Sequence, residues 1–142
     1  MQTALPGTSP AFSPNGVRSM FNSCSVLDRA TTVMPEQGKK LLQFATRNLK
    51  MEHGRGIREP GLSLYWHDDK PLDSPNPQAG VATYACLTRL AVRLKDSEAE
   101  KTFEPLMERE LKRVGRTMQM FDLVETLITA RVIADRNAGK LK

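Results

Sequence analysis

Between Asn76 and Asn137 three consecutive segments repeat apolar residues at the spacing of an α-helix, and no other feature of the chain limits its fold so tightly. In the first, Val81, Tyr84, Ala85, Leu87, Ala91 and Val92 share a face, while Arg89 and Arg93 project from the other side. Asn76 followed by Pro77 supplies an N-cap and a first-turn proline, so this helix is expected over 77–95. Ser97 and Glu100 then stand at the spacing of a capping box, in which the two residues satisfy each other's orphan amides, and open a helix over 98–114. Its stripe is Phe103, Leu106, Met107, Leu111 and Val114, with Arg109, Lys112, Arg113 and Arg116 opposite. Pro105 removes an amide and should kink or restart it, and Gly115 should end it.

From Thr117 to Arg136 the apolar arc widens through Met120, Phe121, Leu123, Val124, Leu127, Ile128, Ala130 and Ala134, as in a central helix with two neighbours. Asn137 and Gly139 stop it. On this reading the core lies in 76–137, with Phe103, Leu106, Leu111, Phe121, Val124, Leu127 and Ile128 buried. Arg131 falls inside the wide arc with Asp135 four residues on, which fits an intrahelical pair or a bridge to a partner.

The first half of the chain is less regular. Pro6, Gly7, Pro10 and Pro14 punctuate residues 1–14, which read as a flexible arm. Asn15 can cap a short helix over 15–29 with Val17, Met20, Phe21, Cys24 and Leu27 on one face. A helix this short is marginal alone in water, so it packs on its own domain or on a partner. Pro35 suits the first turn of a helix over 35–53, stopped by Gly54. There Leu41, Leu42, Ala45 and Leu49 form one arc, and Lys39, Lys40, Gln43, Arg47 and Lys50 face away from it. Residues 54–76 are rich in Gly and Pro and read as a long irregular connection, with a short extended piece where Leu62, Leu64 and Trp66 alternate with Ser63 and Tyr65. The fold class that follows is all-α: a small bundle of four to five helices in one domain, 15–142, behind the arm.

A chain of 142 residues suffices for one such domain. The net charge is +5, and residues 36–58 hold six bases against two acids. No run approaches the ~18 apolar residues that span a bilayer, and no basic segment followed by an apolar one opens the chain, so neither membrane insertion nor general secretory export is expected. Residues 1–33, poor in acids and rich in Ser, Thr and Pro, also fit a transit or secretion segment, though two Arg are few for one. Cys24 and Cys86 suggest no disulfide framework and fit a reducing, cytoplasmic setting.

The chemistry is sparse. His53, His67, Asp68 and Asp69 are the one metal-ligand cluster, but the His-Asp pair sits in a Pro-bounded loop without a third His, so no metal is assigned. Cys86 has no adjacent base, and no glycine-rich phosphate loop occurs. No catalytic residues and no cofactor are expected, and the chain reads as non-enzymatic. The positive signal is cationic: Lys39, Lys40, Arg47, Lys50, Arg55 and Arg58 as one block, Arg89, Arg93, Arg109 and Arg113 as a second set. Lys and Arg spaced along a helix can meet successive phosphates and release their counterions. Tyr65 and Trp66 could stack on an unpaired base, or Trp66 could anchor its loop to the core. The first expectation is therefore a basic helical subunit that holds nucleic-acid backbone inside a larger nucleoprotein assembly, with other protein subunits as partners. The alternative is a protein–protein interaction module, an adaptor, chaperone or secreted regulator, that docks through its N-terminal helix.

Overall fold

Five helices and two small antiparallel sheets form in a computed structural model that describes residues 17–52, 58–67, 69–72 and 76–141. The arm at 1–14 and Asn15 lie outside the described residues. In chain order the elements are β1 (Val17–Ser19), α1 (Met20–Arg29), α2 (Pro35–Arg47), β2 (Lys50–Glu52), β3 (Arg58–Gly61), β4 (Tyr65–His67), β5 (Lys70–Pro71), α3 (Val81–Arg93), α4 (Ser97–Val114), a 3-10 turn (Gly115–Thr117) and α5 (Met120–Asn137). The molecule is mostly helical, as expected, with a small sheet component of which the alternation at 62–66 indicated only one short extended piece.

The centre of the bundle is α3. Every residue from Val81 to Val92 is buried, and all four other helices pack on it. Its sequence explains this: apart from Arg89, whose charge is met inside the bundle, apolar or small residues surround the circumference from Val81 to Val92, and such a helix has no face to give to water. The expectation of a central helix at 117–136 is thereby corrected. Of the residues predicted to be buried, Phe103 and Leu106 are, and Leu111 packs half-buried against the core. Phe121, Val124, Leu127 and Ile128, all on α5, are exposed.

Helix ends follow local chemistry, sometimes a few residues from where the sequence placed them. Ser19 caps α1 by accepting from the Asn22 amide at 3.2 Å. Pro35 does open α2, but that helix stops at Arg47, where Asn48 closes it by donating its side-chain amide to the Phe44 carbonyl at 2.8 Å. α3 starts at Val81 because Asn76 is engaged elsewhere: its oxygen accepts from the Tyr65 amide, and its nitrogen donates to the carbonyls of Tyr65 and Leu72. α3 then ends with Lys95 in the left-handed conformation at φ 59°, the Lys95 amide bonded to the Val92 carbonyl and the Asp96 amide to the Ala91 carbonyl. Asp96 also caps α4 by accepting from the Ala99 amide at 3.0 Å, the role assigned in sequence to Ser97. α4 runs through Pro105 without interruption, and Gly115, at φ 49°, ends it.

The connection between α2 and α3 is not simply irregular. β4 pairs with β1 in the register Arg18 to Trp66, and β5 pairs with β4. The Leu64 amide bonds to the Pro77 carbonyl, and the Ala79 amide to that of Leu62. Leu62 and Trp66 are thereby carried into the core, where Trp66 meets Phe44 edge-on at 5.0 Å and donates its indole N–H to the Ser63 carbonyl. Trp66 is an anchor and is closed to a stacking base. Most of the apolar face of α1 is used in the same way, with Met20, Cys24 and Leu27 all buried, so the N-terminal helix packs on its own domain and leaves only Phe21 of that face partly open.

Candidate interaction site

α5 is built inside out. Its 18 residues place Glu125, Thr129 and Val132 against the bundle, while Met120, Phe121, Leu123, Val124, Leu127 and Ile128 face water, Met120 at 71% and Leu127 at 59% exposure. At about 100° per residue these exposed positions, with Ala130 and Ala134, occupy one continuous half of the helix. Arg131 and Asp135 are the charges on that half, joined to each other at 3.1 Å as an i, i+4 pair.

Long-range polar contacts hold the helix in this orientation. Thr129 donates its hydroxyl to the Ala85 carbonyl of α3 at 2.7 Å. Arg89, on α3, is 3% exposed and reaches two carboxylates: Asp28 of α1 through Nε at 2.8 Å, and Glu125 of α5 through Nη2 at 2.7 Å. Its Nη1 also lies 3.4 Å from the Thr129 hydroxyl. Arg93 takes the second oxygen of Asp28 at 2.9 Å. Burial by itself disfavours the Arg89 cation, but the neighbouring Cys86, Asp28 and Glu125 outweigh it and hold its pKa above the ordinary guanidinium value. A charge so enclosed is tolerable only with its counter-charges in place. Rolling α5 to bury its apolar half would leave Arg89 with Asp28 alone.

The apolar half continues past the start of α5. Phe121 meets Phe21 of α1 edge-on at 5.0 Å, and the two rings, with Leu64 and Tyr65, line a surface groove of about 460 Å³ that also holds Asn22 and Asp122.

The cationic residues named from sequence divide into two groups. Arg89, Arg93, Arg109 and Arg113, expected on outward faces, are engaged by carboxylates of the same chain. Arg109 and Arg113 both bond Glu110, at 2.9 and 2.8 Å, both pair with Glu59, and Arg109 also donates to the Pro60 carbonyl. The hydrogen bonds that Arg113 donates to the Glu59 carboxylate raise its pKa. These four arginines fix the bundle and its connection together. Lys39, Lys40, Arg47 and Lys50 are exposed, Lys39 beside Glu36 at 3.2 Å. Lys40 and Arg47 line, with Arg18 and Gln37, a groove of about 380 Å³ between α1 and α2 that has no carboxylate among its lining residues. Arg55 lies outside the described residues, and of Arg58 only the backbone, opposite Glu52, is described.

Other candidate chemistry is absent among the described residues. No three potential metal ligands come together there, and His53 and Asp68 fall outside them. Cys24 and Cys86 are both buried and unbridged, and they lie within hydrogen-bonding reach of each other. Burial, with the contact to Cys86, pushes the Cys24 thiol well up, which keeps it protonated and unreactive. Among the described residues no helix is long and apolar enough to cross a membrane.

Sequence reasoning found the apolar arc of α5 but not the inner face that turns it outward. The available signal was the polar run Asp122, Glu125, Thr129 and Arg136 on the opposite half, at helical spacing and as continuous as the apolar arc. Comparison of the chain with family models, with curated proteins and with solved structures finds no match.

Proposed function

We propose that this chain is a non-enzymatic interaction subunit that docks on another protein surface through the outer half of α5. The observation that carries this reading is the inversion of that helix, whose polar half is bonded inward and whose apolar half is left in water. Contiguous apolar patches of this kind are rare on isolated soluble domains and mark docking surfaces. Leaving such area uncovered forgoes roughly 25 cal/mol for each Å². A helix presenting anchors at intervals of three and four residues is suited to lie along a second helix or in a groove. The docking element is thus α5, in place of the N-terminal helix.

The test is Leu127→Glu. With the far-UV circular dichroism unchanged, this variant should lose both self- or partner association and the binding of an apolar fluorescent dye. A wild-type protein that neither associates nor binds the dye would remove the reading.

A second reading, contact with nucleic-acid phosphates, is favoured by the carboxylate-free groove beside Lys40 and Arg47 and by exposed Lys50. Reversing Lys40, Arg47 and Lys50 to Glu should then abolish retention of nucleic acid in an electrophoretic shift and flatten its salt dependence by up to about three contacts. No retention by the wild type at low salt eliminates it.

A further inference from the structure

From the side-chain order along α5 we infer that the surface covering its outer half is the α5 of a second copy of this chain, running antiparallel about a two-fold axis near Leu127. This inference rests on the docking reading above and specifies its partner.

The first argument is one of volume. Met120, Leu123, Leu127, Ala130 and Ala134 repeat at alternating intervals of three and four residues, the spacing of a helix–helix seam. Their sizes run from large at the N-terminal end to small at the C-terminal end. Antiparallel self-pairing about Leu127 sets Met120 against Ala134 and Val124 against Ala130, with Leu127 meeting its own copy and Leu123 meeting Arg131, so that along the pair large apolar side chains meet small ones. A parallel pairing sets Ala130 and Ala134 against themselves and leaves gaps at one end. The gradient is self-complementary in one direction only, as an isologous contact requires.

The second argument concerns charge. Arg131, whose side chain is 79% exposed, is the single cation on the outer half. In a parallel pair the two Arg131 residues stand at the same level. In the antiparallel pair each lies four residues from the axis, so at about 1.5 Å per residue they are about 12 Å apart along the seam, beyond the screening length near 0.1 M salt. Each then sits opposite Leu123 of the other copy, where its aliphatic stem can cover the leucine while the head stays with Asp135 at the rim. The antiparallel arrangement also opposes the two helix dipoles.

Light scattering on the eluting full chain should give twice the mass of one chain, and Leu127→Glu should halve it with the circular dichroism unchanged. Direction is read by thiol cross-linking, to which the buried Cys24 and Cys86 contribute nothing. A mixture of Met120→Cys and Ala134→Cys proteins should form the disulfide-linked dimer on mild oxidation, and Ala134→Cys alone should not. A monomeric wild type at high micromolar concentration, a dimer that survives Leu127→Glu, or efficient cross-linking of Ala134→Cys alone overturns the inference. For a monomeric wild type, an apolar dye separates the two levels. Dye bound by the wild type and lost in Leu127→Glu leaves the docking face intact with a different partner, and no dye bound removes the docking reading as well.

Discussion

Arg89 decides which way α5 lies. Its guanidinium joins Asp28 of α1 to Glu125 of α5 from inside the bundle, at 2.8 and 2.7 Å, and removing it would leave the buried Glu125 carboxylate without its cation and Asp28 with Arg93 alone. Arg89→Met should therefore cost about 3 to 5 kcal/mol in denaturant unfolding, the range for breaking one side of a buried ion pair, and clearly more than Arg93→Met, whose partner keeps Arg89. Lys95 has a smaller role with the opposite sign. It holds a left-handed conformation at φ 59° that disfavours a side chain, so Lys95→Gly should stabilise the protein by up to about 1 kcal/mol, measured as a higher denaturant midpoint at constant slope. Tyr84 sets an alkaline limit. Burial raises its pKa from 10.0, although its oxygen accepts from the Leu62 amide at 3.1 Å and the Arg109 guanidinium sits 5.8 Å over its ring. Cys24 is raised from 9.0 by burial in the same way. Both groups ionise more easily in the unfolded chain than in the folded one, so the unfolded state binds fewer protons at high pH. Their contribution is fully present below their unfolded pKa values and is lost as pH rises through the folded ones. Unfolding free energy measured against pH should fall from pH 9 to 10 upward, with the Tyr84 share missing from Tyr84→Phe.

At the scale of elements, α4 and α5 show the difference between local stop signals and face assignment. Gly115 terminates α4 at φ 49° and ψ −124°, a conformation that a Cβ resists whatever space surrounds it. Gly115→Ala should destabilise by roughly 1 kcal/mol or more, read as a lower melting temperature. The apolar residues of α3 and α5 differ in a way that periodicity alone cannot convey. Leu87, fully buried in α3, should cost about 2 to 5 kcal/mol on truncation to Ala through transfer and cavity terms. Leu127→Ala should cost little within one copy, because its side chain touches solvent there, and its effect should fall on association instead. A loss at Leu127 as large as that at Leu87, measured in a monomeric background, would show that α5 packs the other way. The cations of α4 follow the same logic: Arg109 and Arg113, read from sequence as opposite the apolar stripe, border it, with Arg109 over the Tyr84 ring and both bonded to the buried Glu110 and to Glu59.

At the scale of the whole molecule, self-pairing through α5 makes stability a function of concentration. The melting temperature should rise with protein concentration in the micromolar range, and Leu127→Glu should abolish that dependence, because mass action stabilises only a state that associates. The sequence by itself determined that the chain is helical, roughly where each helix runs, and several of its ends: Pro35 at the start of α2, Gly115 after α4 and Gly139, at φ 73°, after α5. Those properties are local, since capping and φ restrictions act over one turn and apolar spacing defines an arc within a single segment. Which arc faces inward was decided only by the tertiary structure. Arg89 and Thr129 are 40 residues apart, and Thr129 and Ala85 are 44, so the contacts that orient α5 join segments whose separate periodicities carry no information about each other. The same holds for the arginines read as outward cations, whose carboxylate partners on α1, α5 and β3 come within reach only when the helices pack. An amphipathic pattern identifies two faces of a helix, and the buried face is the one whose groups, apolar or charged, find complements on the neighbours.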